Sequence, residues 1–261
     1  MENCLQMSEE NKSLDVLGVK PIADSVNTVT KGTVDGASAF LSRICLPAAE
    51  EFGLLLKDKV SSWRAKNAVE IANKAQALLE AQVQGLVVSA HPRIIYSTLE
   101  NGSWAEDDFM QNLWAGLLAS SCTPEGKDES NIILINLLSQ LTSSQARIVS
   151  YICQNANTYM GKAGFITSEF FYLEADQLLE ISGIDDIHQL DRELDHLRGL
   201  ELINSGFNVN DLKADVTPHS LCLQLYARSQ GYVGSPIEFY EAKEKSSNKP
   251  SNSDAASSAR S

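Results

Sequence analysis

The tightest grouping of chemically capable side chains in this sequence is His188, Asp191 and Asp195. Steps of three and four put one imidazole and two carboxylates on one helical face, a donor set suited to a divalent metal. The same segment carries Ile187, Leu190, Leu194 and Leu197 on its other side. A stripe of that kind turns to the core and the His/Asp stripe to water, so a solvated acidic face is the expectation. His91 precedes Pro92 with no nucleophile near it in sequence, and His196 and His219 have no recognisable partner. The patterns G-x-x-x-x-G-K-S/T, G-x-G-x-x-G after a strand, G-x-S-x-G and H-E-x-x-H are all absent. No catalytic, cofactor-binding or metal-ligating residue is therefore assigned, and no cofactor is expected.

The five cysteines, Cys4, Cys45, Cys122, Cys153 and Cys222, are odd in number and include no C-x-x-C pair. Neither a disulfide framework nor a zinc knuckle is expected. The opening Met1-Glu2-Asn3-Cys4 has no basic region followed by an apolar run, which points to a cytoplasmic chain with reduced thiols. The 261 residues hold 21 Lys and Arg against 34 Asp and Glu, for a net charge of −13. Such a molecule repels a polyanion unless a local basic patch overrides the whole-molecule field.

The elements that must position these groups read as mainly helical. Over residues 16–46, Ile22, Val26, Val29, Phe40 and Ile44 recur at helical steps beside Gly32 and Gly36. This predicts an amphipathic helix, weakened by about 1 kcal/mol for each interior glycine, whose stability must come from packing or from a trigger. Pro47 opens a long helix running to about residue 84, with Phe52, Leu56, Val60, Trp63, Ile71 and Leu78 on a drifting stripe. Ser103-Trp104-Ala105-Glu106 reads as a capping box ahead of a helix through Phe109, Leu113, Trp114 and Leu117. Thr142-Ser143-Ser144-Gln145 supplies a second capping signal. Trp63, Trp104 and Trp114 read as core anchors, as does the cluster Tyr151, Phe165, Phe170, Phe171 and Tyr172.

Beyond residue 141 come a capped helix, a Gly161–Gly164 connection, and short helices near 173–182 and 187–198. Gly199-Leu200-Glu201-Leu202-Ile203 and a polar turn then lead to Val216. This order resembles a winged-helix module with its wing strands starting at Leu202-Ile203, and Thr217-Pro218-His219 opens a last helix. A winged helix that reads DNA needs cations on its recognition helix. From Glu174 to Glu201 there are nine acids against Arg192 and Arg198, a balance of −7. Protein contact is expected there in place of nucleic acid.

Three stretches carry a family resemblance: Ala48-Ala49-Glu50-Glu51-Phe52-Gly53, His91-Pro92-Arg93-Ile94-Ile95, and Asp107 to Ser120 with its Trp114-Ala115-Gly116-Leu117-Leu118-Ala119 run. Together with Leu138 to Val149 they resemble the abortive infection alpha family over most of residues 15–205. Asn131-Ile132-Ile133-Leu134 departs from the more polar stretch of that family. The resemblance implies a bacterial, helical, cytosolic protein of phage defence, and it brings no catalytic residue to carry over.

The organisation expected is a disordered segment 1–14, a long-helix bundle over 15–141, a small winged-helix-like α+β module over 142–240 and a disordered tail 241–261. The function expected is a non-enzymatic phage-defence protein that contacts a host or phage protein and is able to oligomerise, with conditional membrane contact through residues 16–46. Its rivals are a winged-helix DNA-binding regulator and a metal-dependent hydrolase or nuclease. The regulator would gather Arg192, Arg198, Lys213 and Arg228 on one surface. The hydrolase would use the His188, Asp191 and Asp195 face.

Overall fold

The computed structural model describes residues 31–45, 61–82, 87–208 and 210–247, with ten helices and five short strands among them. The expectations for residues 1–30, for Pro47 to Val60 and for the tail beyond 247 lie outside the described residues.

Helix α1 (Lys31–Ile44) lies on α2 (Ser61–Gln82). It buries Ala37, Phe40, Leu41 and Ile44, facing an alanine-rich side of α2 made by Ala65, Ala68, Ile71, Ala72 and Ala75. Small side chains let the two axes approach, so this close packing supplies what the glycine-weakened α1 lacks by itself. Helix α3 (Pro92–Gly102) starts at a proline behind His91. Helix α4 (Asp108–Ser120) is the hub, with ten of its thirteen residues buried, including Trp114 at 2% exposure. A helix apolar all round must be wrapped on all sides, and α2, α3, α5 (Ile132–Gln140) and α9 (Ser220–Ser229) provide that cover.

The second half opens with α6 (Ser143–Asn155), where Thr142 and Gln145 form a reciprocal capping box. A two-stranded hairpin follows, β1 (Thr158–Met160) with β2 (Ile166–Ser168), antiparallel, where the sequence reading held only a Gly-containing connection. Strand β3 (Tyr172–Glu174) takes in Leu173 and leads directly into α7 (Ala175–Ser182), then α8 (Ile187–Gly199), β4 (Gly206–Asn208) and β5 (Asp211–Asp215). The second sheet is antiparallel in the order β3-β5-β4, with Tyr172 opposite Asp215 and Gly206 opposite that same residue from the other side. Helix α9 returns to the hub, and α10 (Pro236–Ser247) runs past residue 241, where a tail was expected to begin.

Several local expectations are corrected. Helix α4 is capped by Asp107, whose Oδ1 accepts the Phe109 amide at 3.0 Å, and not by Ser103. Ser103 instead follows the end of α3, its amide donating to Leu99 O and its hydroxyl accepting from Arg64 Nε at 2.9 Å. Trp104 and Trp63 are not core anchors. Trp104 is 55% exposed and lies over the Arg64 guanidinium at 4.2 Å, a cation-π cover, while Trp63 packs edge-on against it. Phe165, Phe170 and Tyr172 also stand exposed, on the β1–β2 turn and the outer face of the sheet.

No helix among the described residues is long and apolar enough to cross a membrane.

Candidate functional site

Helix α8 is set by Asp186, which caps it through the His188 amide at 3.1 Å, and by Leu190, Leu194 and Leu197, all fully buried. Its register is locked to α6 by the buried amide of Gln145, whose Nε2 donates to Glu193 O at 3.2 Å and lies 2.9 Å from His196 Nδ1. His196 therefore has a partner that the sequence did not disclose. His219 has one too, with its Nδ1 3.1 Å from Glu201 O. The helix ends at Gly199 and the turn after it closes the terminus: the Glu201 amide donates to Arg198 O and the Leu202 amide to Leu197 O, with Glu201 at φ 58. This is a Schellman closure with a non-glycine residue in the left-handed position. The strands after α8 begin at Gly206, later than the expected start at Leu202-Ile203, because Leu202 and Ile203 are fully buried and Ile203 bridges to Pro218.

His188, Asp191 and Asp195 share the outer face of α8. Ile187 is only half-buried and turns toward the same side as His188. Facing them is the β4–β5 hairpin, and between the two lies an open cleft of about 630 Å³ whose far wall is Phe207, Leu212 and Asp211. Leu212 is 68% exposed. Asp195 accepts from Arg198 at 2.8 Å, and Asp211 Oδ1 accepts the Lys213 amide at 3.1 Å. The Asp191 carboxylate has no hydrogen bond or ion pair among the described residues. The cleft thus combines an apolar wall with carboxylates, of which only Asp195 has a cation inside the cleft. Periodicity found the helix side of it; the hairpin side depended on chain reversal and left no local signal.

Among the described residues no three His, Cys, Asp or Glu side chains gather as a metal site. His91 is a structural residue: its Nδ1 accepts the Arg93 amide at 3.3 Å and its Nε2 lies 3.4 Å from Glu129, which also pairs with Arg93. The buried thiols are poor nucleophiles. Burial pushes the Cys122 thiol up to about 12. The Cys222 thiol, 3.6 Å from Cys153 Sγ, is raised well above its ordinary value by its hydrogen bond to Cys153 and by burial.

Three of the four cations that would make a DNA-reading surface are engaged, and Arg192 stands exposed on α8 among the acids of that helix. Arg198 holds Asp195, Lys213 lies 3.9 Å from Glu174, and Arg228 donates to the carbonyls of Tyr232 and Val233 beside the hub. The β3-β5-β4 sheet with its helices therefore forms a small acidic α+β unit packed on a helical hub. The family model for abortive infection alpha matches residues 66–224, and the chain belongs to that family. The matched region begins within α2 and ends within α9, so it takes in the hub and the acidic unit together but neither Ala48 to Gly53 nor α1. No curated protein and no solved structure matches the chain.

Proposed function

We propose that this chain is a non-enzymatic abortive-infection protein in which residues 142–240 form a winged-helix-like module that contacts a protein partner in the cell cytoplasm. The observation that carries the reading is the family match over residues 66–224, which supports a role in abortive infection. The winged-helix assignment draws support from element order: α6, β3, α7, α8, β4, β5, with a β3-β5-β4 sheet, is the order in which such a module winds. In that assignment α8 takes the recognition position. A duplex would meet Asp191, Asp195 and Asp211 there, and carboxylates facing phosphates are repulsive at contact distance.

Protein contact is the partner class that the charge favours, since an acidic surface with apolar side chains attracts cationic polypeptide. Membrane contact through residues 16–46 would require α1 to release Phe40, Leu41 and Ile44 from their packing beside α2, a conformational cost that a partner at the module does not incur.

The test is phage challenge of a bacterial culture expressing the full chain. Fewer plaques together with loss of infected-cell survival is the expected result. Unchanged plaque number and unchanged host survival across a panel of phages would remove the reading.

A further inference from the structure

We propose that the cleft between α8 and the β4–β5 hairpin is a docking site for a cationic peptide segment of a partner protein, one that places a large apolar side chain against Leu212 and Phe207 and a lysine or arginine beside Asp191. The proposal rests on the protein-contact reading above and names the place and the chemistry of the contact.

The hairpin geometry is what creates the site. On β5 Ala214 is fully buried, and the pairing with β4 shifts register between Gly206–Asp215 and Asn208–Asp211. Within this irregular stretch Leu212 lines the cleft with Asp211, and the leucine stands 68% exposed. Phe207, on the neighbouring strand, and Ile187, at the start of α8, are half-buried and continue the same apolar surface down to the root of the cleft. At that root Gly206 sits at φ 92, and a Cβ there would lie 3.5 Å from Leu194 Cβ, so the hairpin is held close against α8 at one end and open at the other. A cleft of about 630 Å³ is large enough to take several side chains of a peptide.

Charge decides the occupant. Three carboxylates line the cleft against one guanidinium, and that guanidinium is bound to Asp195. Asp191, exposed and without a partner among the described residues, lies on the side facing the apolar wall. An acidic or phosphorylated segment would be repelled by this lining and by a chain of net charge −13, whereas a basic segment with one apolar anchor satisfies both walls. The anchor side chain would supply specificity by burial, and the acids would raise the encounter rate.

The experiment uses the full chain, immobilised, against a random dodecapeptide library at near-physiological salt, with affinities of the enriched peptides then measured by fluorescence anisotropy. Asp191→Lys and Leu212→Ser change exposed side chains and should leave the melting temperature close to that of the unaltered protein. Glu125→Lys, exposed and outside the cleft, controls for bulk charge. The enriched pool should be rich in lysine and arginine with one large apolar residue. Each cleft variant should weaken binding by at least about tenfold, and Glu125→Lys by less than about twofold. No enrichment, an enriched pool without basic character, or binding that survives both cleft substitutions overturns the proposal. Tight duplex-DNA binding that Asp191→Lys strengthens would overturn it in favour of nucleic acid. Failure of the wider reading is separable: a chain that does not protect against any phage sinks that reading whatever the peptides do, while protection that persists undiminished in Asp191→Lys and Leu212→Ser sinks the cleft alone.

Discussion

Gly116 on α4 and Ser229 at the end of α9 meet backbone to backbone: a Cβ built on Gly116 would lie 1.8 Å from the Ser229 carbonyl oxygen. The helical hub and the module-bearing half of the chain are thus joined at a point where one methyl group does not fit. Gly231, two residues on at φ 82, faces Leu78 of α2 from the same turn, so the end of α9 is seated between two helices of the first half.

Gly116→Ala should therefore destabilise by about 3 kcal/mol or more, at the upper end of overpacking costs, because the obstruction is backbone and not a flexible side chain. Urea unfolding followed by circular dichroism measures it. A loss below about 1 kcal/mol would mean that α9 moves away from the hub at little cost.

The closing turn of α8 makes an opposite pair of expectations. Glu201 holds a left-handed conformation, so Glu201→Gly should stabilise by about 1 kcal/mol. Gly199 is the last residue of the helix, and nothing lies within 4 Å of a Cβ placed there. Gly199→Ala should also stabilise, by about 0.5–1 kcal/mol. Melting temperatures of the two variants and of their combination check both.

Gln145 serves the α6 capping box and the bridge to α8 with one side chain, its Oε1 accepting the Thr142 amide at 3.0 Å. Thr142→Ala should cost about 1 kcal/mol through the cap. Gln145→Ala should cost more, about 2–3 kcal/mol, because it also strips the buried contacts to Glu193 O and His196. Equal losses in denaturant titrations would show that the bridge contributes nothing.

Stability should fall on the alkaline side. Burial raises the Cys122 thiol from 9.0 to about 12, and Cys222, Tyr226 and Tyr240 are raised as well, chiefly by burial for the tyrosines and by the Cys153 hydrogen bond for Cys222. The folded chain keeps protons that the unfolded chain releases above about pH 9, so the stabilising difference is complete below that value and is lost as pH climbs toward the folded-state values. Denaturation midpoints between pH 8 and pH 11 read this out. In native protein at pH 8, thiol labelling should reach half-buried Cys45 well before Cys122, Cys153 or Cys222.

What the sequence determined by itself were the features written in near neighbours. The apolar stripe of α8, the Thr142 and Gln145 box, the burial of Trp114 in a helix apolar on nearly every side, and the acidic balance around α8 all follow from residues within a turn or two of one another. The family resemblance was legible for a related reason, since the Trp114 to Ala119 run records the small and large residues that a hub helix must present, Gly116 among them.

Tertiary structure decided which surfaces were covered. Trp104 and Phe170 are large and apolar like Trp114, yet no element among the described residues covers them. Ser103-Trp104-Ala105-Glu106 has the composition of a cap, yet the path set by Arg64 and the α3 terminus gives that role to Asp107. The cleft needed β5 to return beside α8, bringing Leu212 opposite Asp191 across some twenty residues of chain. Local hydrogen bonding and periodicity carry no record of such an encounter, because its energy belongs to pairs of elements and not to either one alone.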